Sequence, residues 1–520
     1  MQDPNSADAA PRAGAASTAA FGTAVLARSA AQTLAEQLSG HYAARIRQRL
    51  LLPGARLPSV RESARRHRVS PSTVVAAYDQ LLAQGLIEAK RQRGFFVRGG
   101  EPAPPRAPFD AAAAALALTT ETALPRAPVP SSPPPVDATA LIRGMFNADA
   151  RRPAPGLGTL PAEWLDAAML QTALRRAMAP SPSRPARASM REVVQGLAES
   201  ALSYGEPAGD ARLRQALAQR LADYGVHATS GQFVTSNGAT HALDIVSRAL
   251  LHPGDAVLVD EPGWSVEFAR LTQLGMRLLP VPRGVDGPDL GAMEALARAH
   301  RPRLYVAVSV LHNPTGASLG LAAAHQVLRL AEQHDFRIVE DDTYGWLAPP
   351  HAPRLSALDG LRRTVYVSGF AKVLTPGWRV GFLAAPPALV ERFVDVKLLG
   401  ALTTPALLER AVAVCLEQGW LRRHAERVIE RLGSARTRSA KLATAAGCRF
   451  VTPPSGLFGW VDTGVDTERL ATAMLDDGWL LAPGTVFHAH RRPSTLMRIN
   501  FATTQDARFW KAFEDARAAL

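Results

Sequence analysis

Two basic side chains that could support covalent chemistry lie seven residues apart in the stretch VSGFAKVLTPGWRVGFL. Lys372 stands in an otherwise apolar run, and Arg379 follows it between segments that resemble strands. A lysine amine can form a Schiff base with an aldehyde, and an arginine is well suited to bind a phosphate. This pair therefore predicts a site for an aldehyde that carries a phosphate group.

Pyridoxal phosphate is such an aldehyde, and it needs further groups around it. Its phosphate needs cations and backbone N–H groups, its ring nitrogen a carboxylate, its ring a stacking partner, and its phenolic oxygen hydrogen bonds. The sequence offers candidates for these tasks: Gly238, Ala239 and Thr240 for the phosphate, Trp264 for stacking, Asn313 in a turn, and Asp341 and Tyr344 after an apolar segment. A carboxylate there would keep the ring nitrogen protonated, so that the ring can accept electrons.

A group for a substrate carboxylate is also present, because the segment LMRINFA near the C-terminus contains Arg498. Arginine binds carboxylates in a bidentate geometry, so Arg498, together with Asn313, is expected to bind the substrate. With Lys372 as the proton shuttle, and with Asp341 and Tyr344, the set could complete a transamination cycle.

The elements that must position these residues alternate between helical patterns and short apolar segments. The clearest strand candidates are AVLVDEP, RLYVAVSV, FRIVEDD, TVYVSGF and RVGFLAAP. Several are apolar on both faces, which is typical of a buried and mainly parallel sheet, and the alternation predicts an α/β domain. In TSNGATHALDIV a strand ends in a glycine-containing turn that opens a helix. The start of that helix would present N–H groups to a phosphate.

The N-terminal region predicts a different partner, because it is strongly basic. The whole chain has a formal net charge of +13, and the stretch between Arg28 and Arg98 contains 13 Lys and Arg against 4 Asp and Glu. A basic patch this concentrated indicates binding to a polyanion, nucleic acid first. A solvated basic surface is the alternative that charge alone leaves open.

Helix signals in the same region predict a winged helix-turn-helix. The segment AAQTLAEQLSGHYAARIRQRLL has helical spacing, and VRESARRHR follows as a second helix. Ser70 is expected to cap a third helix, with Pro71 at its first position and Gly85 at its end. LIEAKRQRGFFVRG then predicts a two-stranded wing with a basic tip. The third helix would enter the major groove, beginning with Ser72 and Thr73.

The segments PGARLPSVRE, VSPSTV, AYDQLLAQGLIE and GFFV resemble the GntR family of DNA-binding domains in order and spacing. The resemblance implies that a set of polar and wing residues faces DNA, namely Arg61, Ser72, Thr73, Lys90, Arg91, Arg93 and Gly94. The family often has an arginine where this chain has Pro71, so the target sequence stays open. For Tyr78 and Leu82 we expect a packing role.

The candidate residues of the C-terminal region resemble the fold-type I aminotransferase family, and LSYGEPAGDARLRQAL upstream also fits. The resemblance implies pyridoxal phosphate on Lys372 with its phosphate near Arg379. It also implies that Tyr204 reaches the phosphate of a neighbouring subunit, hence a homodimer with shared sites. Many members carry serine three residues before the lysine. Here that position is Gly369, so the phosphate contact is expected from Ser368 or is absent.

These signals divide the chain into four predicted regions: a disordered tail at 1–24, the winged helix-turn-helix at 25–98, a Pro- and Ala-rich linker at 99–140, and the α/β aminotransferase-like domain at 141–520. The two domains and their linker look like the MocR-type subgroup of GntR regulators. That resemblance implies a cytoplasmic transcription regulator that binds duplex operator DNA and senses an amino compound, or pyridoxal phosphate itself.

Two other functions remain open at this stage. The chain could be an active aminotransferase with an accessory DNA-binding domain, or a DNA-binding protein whose C-terminal domain only dimerises. The intact lysine and its partners argue against the second. The two cysteines cannot by themselves form a disulfide framework or a zinc cluster. No apolar run approaches the ~20 residues of a membrane span, so no membrane association is expected.

Overall fold

The computed structural model of the chain describes residues 32–47, 51, 56–90, 94–98, 155–178 and 203–520. These residues form two compact units. One contains the described residues between 32 and 98 together with Arg469–Trp479, and the other contains the remaining described residues from 155 onwards. The predicted tail at 1–24 and the predicted linker at 99–140 lie outside the described residues.

The N-terminal unit has the winged helix-turn-helix architecture that the sequence predicts. Its elements are α1 (Leu34–Arg47), α2 (Val60–His67), α3 (Pro71–Ala83), β1 (Ile87–Lys90) and β2 (Gly94–Val97). The two strands pair antiparallel, with Ile87 opposite Val97 and Lys90 opposite Gly94. They form the wing that follows the third helix.

Helix α3 begins where its capping residues predict. Ser70 has an extended backbone, and its side-chain oxygen accepts a hydrogen bond from the N–H of Thr73 at 3.1 Å. Pro71 occupies the first turn, where its missing N–H costs nothing. Gly85 follows the helix with φ of +66°, a conformation that residues with a Cβ rarely adopt. The predicted start of this helix is confirmed.

The buried face of α3 packs on the other helices and on the wing. Tyr78 stands edge-on to Phe95 with ring centres 5.0 Å apart, and its hydroxyl donates to the backbone oxygen of Pro58 at 2.9 Å. Leu82 is partly buried against the same core. The packing role expected for Tyr78 and Leu82 is confirmed.

A seven-stranded sheet forms the centre of the second unit. Its strands are β3 (Phe233–Ser236), β4 (Ala256–Glu261), β5 (Arg277–Pro282), β6 (Leu304–Ala307), β7 (Arg337–Asp341), β8 (Thr364–Gly369) and β9 (Gly381–Ala384). The order is β3-β9-β8-β7-β6-β4-β5. Strand β9 runs antiparallel to both neighbours, and the other pairs are parallel. The prediction of a mainly parallel sheet is confirmed.

Helices cover this sheet on both faces, and further helices pack on those. They are α4 (Ala167–Met178), α5 (Ala211–Ala222), α6 (Ala239–Leu250), α7 (Ser265–Gln273), α8 (Leu290–His300), α9 (Leu321–Gln333), α10 (Leu355–Asp359), α11 (Pro387–Ala401), α12 (Ala406–Glu417) and α13 (Trp420–Ala445). Alternate residues of one strand enter different cores: Val257 and Val259 pack on one side, and Leu258 on the other. This two-sided burial explains the continuous apolar runs in the sequence.

A smaller antiparallel sheet, which the sequence did not predict, follows in the chain. Its strands are β10 (Arg449–Phe450), β11 (Phe458–Asp462), β12 (Ala482–Pro483) and β13 (Leu496–Asn500), in the order β10-β11-β13-β12. Helices α14 (Thr467–Asp476) and α15 (Ala507–Ala518) complete the chain. Strand β13 carries Arg498 opposite Trp460 of β11. Among the described residues, no helix has the length and apolar character needed to cross a membrane.

Candidate functional site

The candidate residues of the second unit lie along one edge of the main sheet. Strands β4, β6, β7 and β8 are adjacent and parallel, so their carboxyl ends share that edge. Trp264, Asn313, Asp341 and Lys372 each lie at or shortly after one of these four ends. Ligands of open α/β sheets bind outside the carboxyl ends of the strands. The topology therefore gathers residues that are far apart in the sequence.

Lys372 is half-buried, and its ammonium group has a backbone partner. Its Nζ donates to the backbone oxygen of Gly158 at 2.7 Å and lies 5.9 Å from the centre of the Tyr344 ring. Burial, aided by the nearby Arg498 cation, lowers the pKa of Lys372 to about 8. A lysine with this pKa is neutral in about a tenth of molecules at pH 7, far more than a free lysine. The neutral amine is the form that can attack an aldehyde.

Asp341 is the buried acid at the end of β7. Its Oδ1 accepts a hydrogen bond from the N–H of Thr343 at 3.0 Å and another from the hydroxyl of the same residue. Burial raises the pKa of Asp341 to about 6. Asp341 and Trp264 line a common cavity. A cation placed in that cavity would favour the ionised carboxylate.

The adjacent acid, Asp342, already has hydrogen-bond partners within the fold. Its Oδ2 accepts hydrogen bonds from Arg354 Nε at 2.7 Å and from the hydroxyl of Tyr366 at 2.6 Å. All three side chains are buried. Successive side chains at the end of a strand point in different directions. Asp341 therefore lines the cavity, whereas Asp342 forms an internal ion pair.

Arg498 is a buried cation without an anionic partner among the described residues. Its Nη1 donates to Asn313 Oδ1 at 2.8 Å, and its Nη2 donates to the backbone oxygen of Gly156 at 2.5 Å. Its Nε has no hydrogen-bond partner within the described part of the chain. The guanidinium lies 4.4 Å from the centre of the Phe458 ring. Burial lowers the pKa of Arg498 to about 10. A carboxylate would compensate this buried charge.

A short segment, residues 156–159, lies across these two cations, and we call it the strap. Its Gly156 carbonyl is the acceptor for Arg498, and its Gly158 carbonyl is the acceptor for Lys372. A Cβ on Gly156 would lie 2.5 Å from a backbone atom of Leu481, so this close approach requires glycine. Sequence reasoning did not identify the strap.

Asn500 holds the strap in place, and sequence reasoning missed it too. Its Nδ2 donates to the backbone oxygens of Leu157 at 2.9 Å and Thr159 at 2.8 Å. Asn500 is fully buried on β13, two residues after Arg498. Alternation along a strand places both side chains on one face, and that signal could have found Asn500.

The start of α6 and Arg379 form a second cationic feature. Gly238 precedes the helix with φ of +81°, and a Cβ on it would lie 2.6 Å from Nη2 of Arg379. The same Nη2 donates to the backbone oxygen of Asn237 at 2.9 Å. The N–H groups of Ala239 and Thr240 open the helix, where they have no partner within it. A guanidinium beside a helix N-terminus favours an anion such as phosphate.

The structure does not bring Ser368 to this helix start. Ser368 is fully buried, and its hydroxyl donates to the backbone oxygen of Asp342 at 2.9 Å. Gly369 is the residue that approaches α6, since a Cβ on it would lie 3.3 Å from the N of Ala239. Ser368 is thus turned away from the helix start, which corrects its expected role as a phosphate ligand. Gly369 has no side chain for such a contact, so the geometry favours the other alternative, in which the serine contact is absent.

Two predicted tyrosines differ in their surroundings. Tyr344 is buried edge-on against Phe458, and burial raises the pKa of its hydroxyl. A Cβ on Gly158 would lie 3.7 Å from the Tyr344 oxygen and 3.8 Å from Lys372 Nζ, so both polar groups border the same space. Tyr204 is 81% exposed and is not part of this group within one chain.

In the N-terminal unit, the predicted DNA-binding residues of the helices differ in exposure. Arg61 on α2 and Ser72 on α3 are exposed. Thr73 is half-buried, and its hydroxyl lies 2.8 Å from the Ser70 hydroxyl, so it takes part in the helix cap. The Ser72 hydroxyl also lies 2.8 Å from that of Ser70, so it is their greater exposure that makes Ser72 and Arg61 better placed than Thr73 to meet a ligand.

The described part of the wing adds one cation and one glycine. Lys90 is exposed and forms an ion pair with Glu88 at 2.9 Å. Gly94 has φ of +100°, and a Cβ on it would lie 3.4 Å from the guanidinium of Arg56. The predicted wing-tip residues Arg91 and Arg93 lie outside the described residues.

Comparison with known families matches both units. Residues 178–514 match the family described as aminotransferase class I and II. Residues 34–97 match the family described as bacterial regulatory proteins, gntR family. The two matches follow each other along the chain without overlap, in agreement with the two kinds of chemistry predicted from the sequence.

Relatives that are named as regulators are similar over most of the chain. A probable rhizopine catabolism regulatory protein, MocR, of Rhizobium meliloti is 30% identical over 76% of this chain and 72% of the relative. The uncharacterized HTH-type transcriptional regulator YdcR of Escherichia coli K12 is 27% identical over 91% of this chain and 94% of the relative.

Among solved structures, LysN, the alpha-aminoadipate aminotransferase of Thermus thermophilus, is similar to the C-terminal part. The TM-score is 0.64 at 25% identity, covering 73% of this chain and 96% of that chain. LysN was solved in complex with N-(5'-phosphopyridoxyl)-L-leucine.

Proposed function

The chain belongs to the aminotransferase class I and II family and joins that domain to a GntR-type DNA-binding domain, and from this premise we propose a pyridoxal phosphate-dependent transcriptional regulator of the MocR type. It would bind duplex DNA through the N-terminal unit and an amino compound, or the cofactor itself, at Lys372. The observation that carries the proposal is a lysine with a lowered pKa beside Arg498, a buried cation that lacks an anion among the described residues.

The residues at the sheet edge fit pyridoxal phosphate at its phosphate end. Gly238 leaves room for Arg379 against the start of α6, so a guanidinium and the free N–H groups of Ala239 and Thr240 converge there. The phosphate would bind at these groups, without a contribution from Ser368, whose hydroxyl has another partner. The arrangement favours glycine at 238 because the backbone there has φ of +81°, a conformation that residues with a Cβ rarely adopt.

Residues at the sheet edge also suit the pyridine ring of pyridoxal phosphate. Asp341 and Trp264 line one cavity, so a carboxylate and a flat apolar surface are available together. Asp341 would hold a proton on the ring nitrogen, and that positive charge would in turn keep Asp341 ionised despite its burial. Trp264 would stack on the ring. Tyr344 would donate a hydrogen bond at the edge that it shares with Lys372.

Lys372 would do the covalent and proton-transfer work. Bound pyridoxal phosphate supplies an aldehyde carbon that bonds to amines and a ring that accepts electrons. Lys372 Nζ is neutral often enough near pH 7 to bond to that carbon. With an amino compound bound beside it, the Lys372 Nζ would hold a proton or move it at the ligand carbon that bears the amine.

Arg498 would select ligands that carry a carboxylate. Its Nη1 is oriented by Asn313, while Nη2 donates to the strap and Nε is unpaired in the described part of the chain. A carboxylate accepting from Nε and Nη2 would replace the neutral Gly156 carbonyl with a charged acceptor, which is the stronger hydrogen-bond partner. The preferred ligand therefore has both an amine and a carboxylate.

The strap offers a physical route from ligand to DNA. Two of its carbonyls accept hydrogen bonds from the groups that would bind the ligand, Lys372 and Arg498. A ligand that takes over these donors would release one side of the strap. In the chain, residues 156–159 follow the predicted linker at 99–140. Ligand binding would thus act on a segment that lies shortly after the linker in the sequence.

A homodimer is part of the proposal. Tyr204 is 81% exposed and Leu399 is 91% exposed, values that a partner surface would explain. Gly205, next to Tyr204, donates its N–H to Thr403 Oγ1 at 3.2 Å, which ties this segment to the chain just after α11. A second copy covering this surface would bring its own Tyr204 towards the neighbouring site.

The test is the affinity of the full chain for a duplex enriched from a random library. We would measure it without ligand, with pyridoxal phosphate, and with pyridoxal phosphate plus each amino acid in turn. At least one addition is expected to change the affinity by 5- to 150-fold, a typical coupling of about 1–3 kcal/mol. Lys372→Ala should abolish this response, while the exposed control Lys441→Ala should retain it.

The complete site also favours a second candidate function, an active aminotransferase with an accessory DNA-binding domain. Lys372, Asp341, Tyr344 and Arg498 all lie at the same sheet edge or beside it. Steady-state transamination is measured beside DNA binding to separate the two. DNA affinity that ignores all ligands, with turnover at about 1 s⁻¹ or faster, would reject the regulator and establish the enzyme.

A further inference from the structure

Helix α3 presents a continuous outer face that the core does not use. Between its two exposed end residues, Pro71 and Ala83, the exposed residues are Ser72, Val75, Ala76 and Asp79. Their spacing of three, one and three residues places them on one side of the helix. The buried residues Val74, Ala77, Tyr78 and Leu81 occupy the other side. We call the exposed set the outer face of α3.

The outer face has an unusual composition for a helix that reads DNA. It contains no Arg, Lys, Asn or Gln, the side chains that recognise guanine and adenine by paired hydrogen bonds. Val75 is 45% exposed and can neither donate nor accept a hydrogen bond. Single exposed apolar residues are common on protein surfaces. Val75 differs because it lies within about one and a half turns of Ser70, the cap of the helix.

That position restricts what Val75 can recognise. In helix-turn-helix proteins, the N-terminal residues of the second helix of the motif contact base edges in the major groove. Base pairs present hydrogen-bonding groups there and, as an apolar group, the C5-methyl of thymine. We infer that Val75 reads a thymine through its methyl group, which makes it a specificity residue. The inference rests on the proposed DNA binding by this unit.

The remaining outer-face residues are consistent with an A·T-directed contact. Ser72 carries a hydroxyl, which can donate to or accept from any base and so discriminates little. Ala76 extends the apolar surface beside Val75 by one methyl group. Asp79 lies two turns into the helix, beyond the N-terminal residues that reach base edges. Most sequence discrimination by this face therefore comes from Val75.

The experiment uses the full chain and a duplex enriched from a random library. Each thymine of one half-site is replaced in turn by deoxyuridine, which lacks only the methyl group. At one position the wild-type chain is expected to lose about fourfold in affinity, the factor for burying one methyl group. Val75→Ala should bind both duplexes equally, whereas Val285→Ala, with the same 45% exposure in the other unit, should behave as wild type.

The outcomes separate this inference from the proposed function. An enriched duplex in which every deoxyuridine is tolerated equally by wild type and Val75→Ala would overturn the inference and leave DNA binding intact. Failure to enrich any duplex would remove DNA binding and the inference with it. Because Val75 is exposed and alanine favours helices, the variant is expected to fold, and thermal unfolding of the full chain checks this.

Discussion

The two candidate sites of this chain place their charged groups in opposite surroundings. In the C-terminal unit, Lys372 is half-buried and Arg498 is buried, and burial lowers the pKa of each. In the N-terminal unit, Arg61 and Lys90 are exposed to solvent. The electrostatic energy of a buried charge depends strongly on each neighbouring group, because the protein interior screens charges only weakly. An exposed charge is screened by water and salt. Its contribution to binding is therefore smaller, and it adds to the contributions of the other exposed charges.

This difference predicts how single substitutions behave. At the buried site, each side chain has a separate task, so one change should remove a function completely. On the exposed face, phosphate contacts are alike, so one change should weaken binding by a modest amount.

The largest effect is expected for Lys372→Ala. After incubation with pyridoxal phosphate and removal of the unbound cofactor, the wild-type chain should keep a visible absorption band, because the lysine condenses with the aldehyde carbon and water leaves. The variant should show none while keeping its folded circular dichroism spectrum. Lys441→Ala, which changes an exposed lysine on α13, should leave the band intact. A wild type that stays colourless with pyridoxal phosphate would refute the assignment.

A large effect on stability, with none on the site chemistry itself, is expected for Asp342→Asn. It leaves the buried Arg354 without its charge partner, which should lower the free energy of unfolding by about 3 kcal/mol. Asp341→Asn should change stability less and cofactor binding more, since Asp341 lines the cavity. Urea unfolding and titration with pyridoxal phosphate measure both properties. Similar stability losses in the two variants would contradict the division between them.

A surface ion pair gives the matched control for Asp342. Asp335 pairs with Arg363 at 2.9 Å, and its side chain is 86% exposed. Asp335→Asn should lower the free energy of unfolding by about 0.5 kcal/mol or less, because solvent screens exposed pairs. A loss as large as that of Asp342→Asn would mean that burial is not the reason for the difference.

The rate of pyridoxal phosphate capture should depend on pH in a way that reflects the lowered pKa of Lys372. Only the neutral amine reacts, so the rate should rise with pH below the pKa and level off above about 8. A free lysine, with a pKa of about 10.4, would still become more reactive at pH 9. Stopped-flow absorbance from pH 6 to 10 measures the profile, with Nα-acetyllysine as the reference. A rate that still climbs tenfold from pH 8 to 9 would disprove the shift.

The smallest effect is expected for Arg61→Ala on the exposed face. If Arg61 neutralises one phosphate, the slope of log affinity against log salt should fall by about 0.9. Binding to different duplexes should weaken by the same factor, because phosphates are the same in every sequence. Arg329→Ala, an exposed arginine on α9, is the control and should change neither quantity. A change in sequence preference would instead indicate a base contact.

Local signals in the sequence were sufficient for much of the architecture. Ser70 and Pro71 marked the start of α3, because a helix cap involves only residues within one turn. The two-sided apolar runs marked β4, β6, β7 and β8, because burial on both faces removes polar residues. The small sheet was missed because β10 and β12 are two residues long and too short for a pattern, while β11 and β13 lack a strict alternation of apolar and polar residues.

The residue types of the candidate site were also readable from the sequence. Lys372, Asp341, Trp264 and Asn313 were identified by chemistry and by their place after strand-like segments. Parallel strands end at a shared edge, so such positions converge whenever the strands are neighbours. The sequence alone could not show that they are neighbours, because the order β8-β7-β6-β4 is decided by how the strands pair in the folded sheet.

Only the tertiary structure decided which groups carry which partner. It placed Asp341 at the cavity and Asp342 in an ion pair with Arg354. It also directed the Ser368 hydroxyl to a backbone oxygen. It also joined Gly156 to Arg498 across 342 residues of chain. Side-chain direction and long-range contact depend on how the whole domain buries its surface, and no window of neighbouring residues contains that information. Residue chemistry was therefore determined by the sequence locally, whereas the partners were determined by the packing of the whole unit.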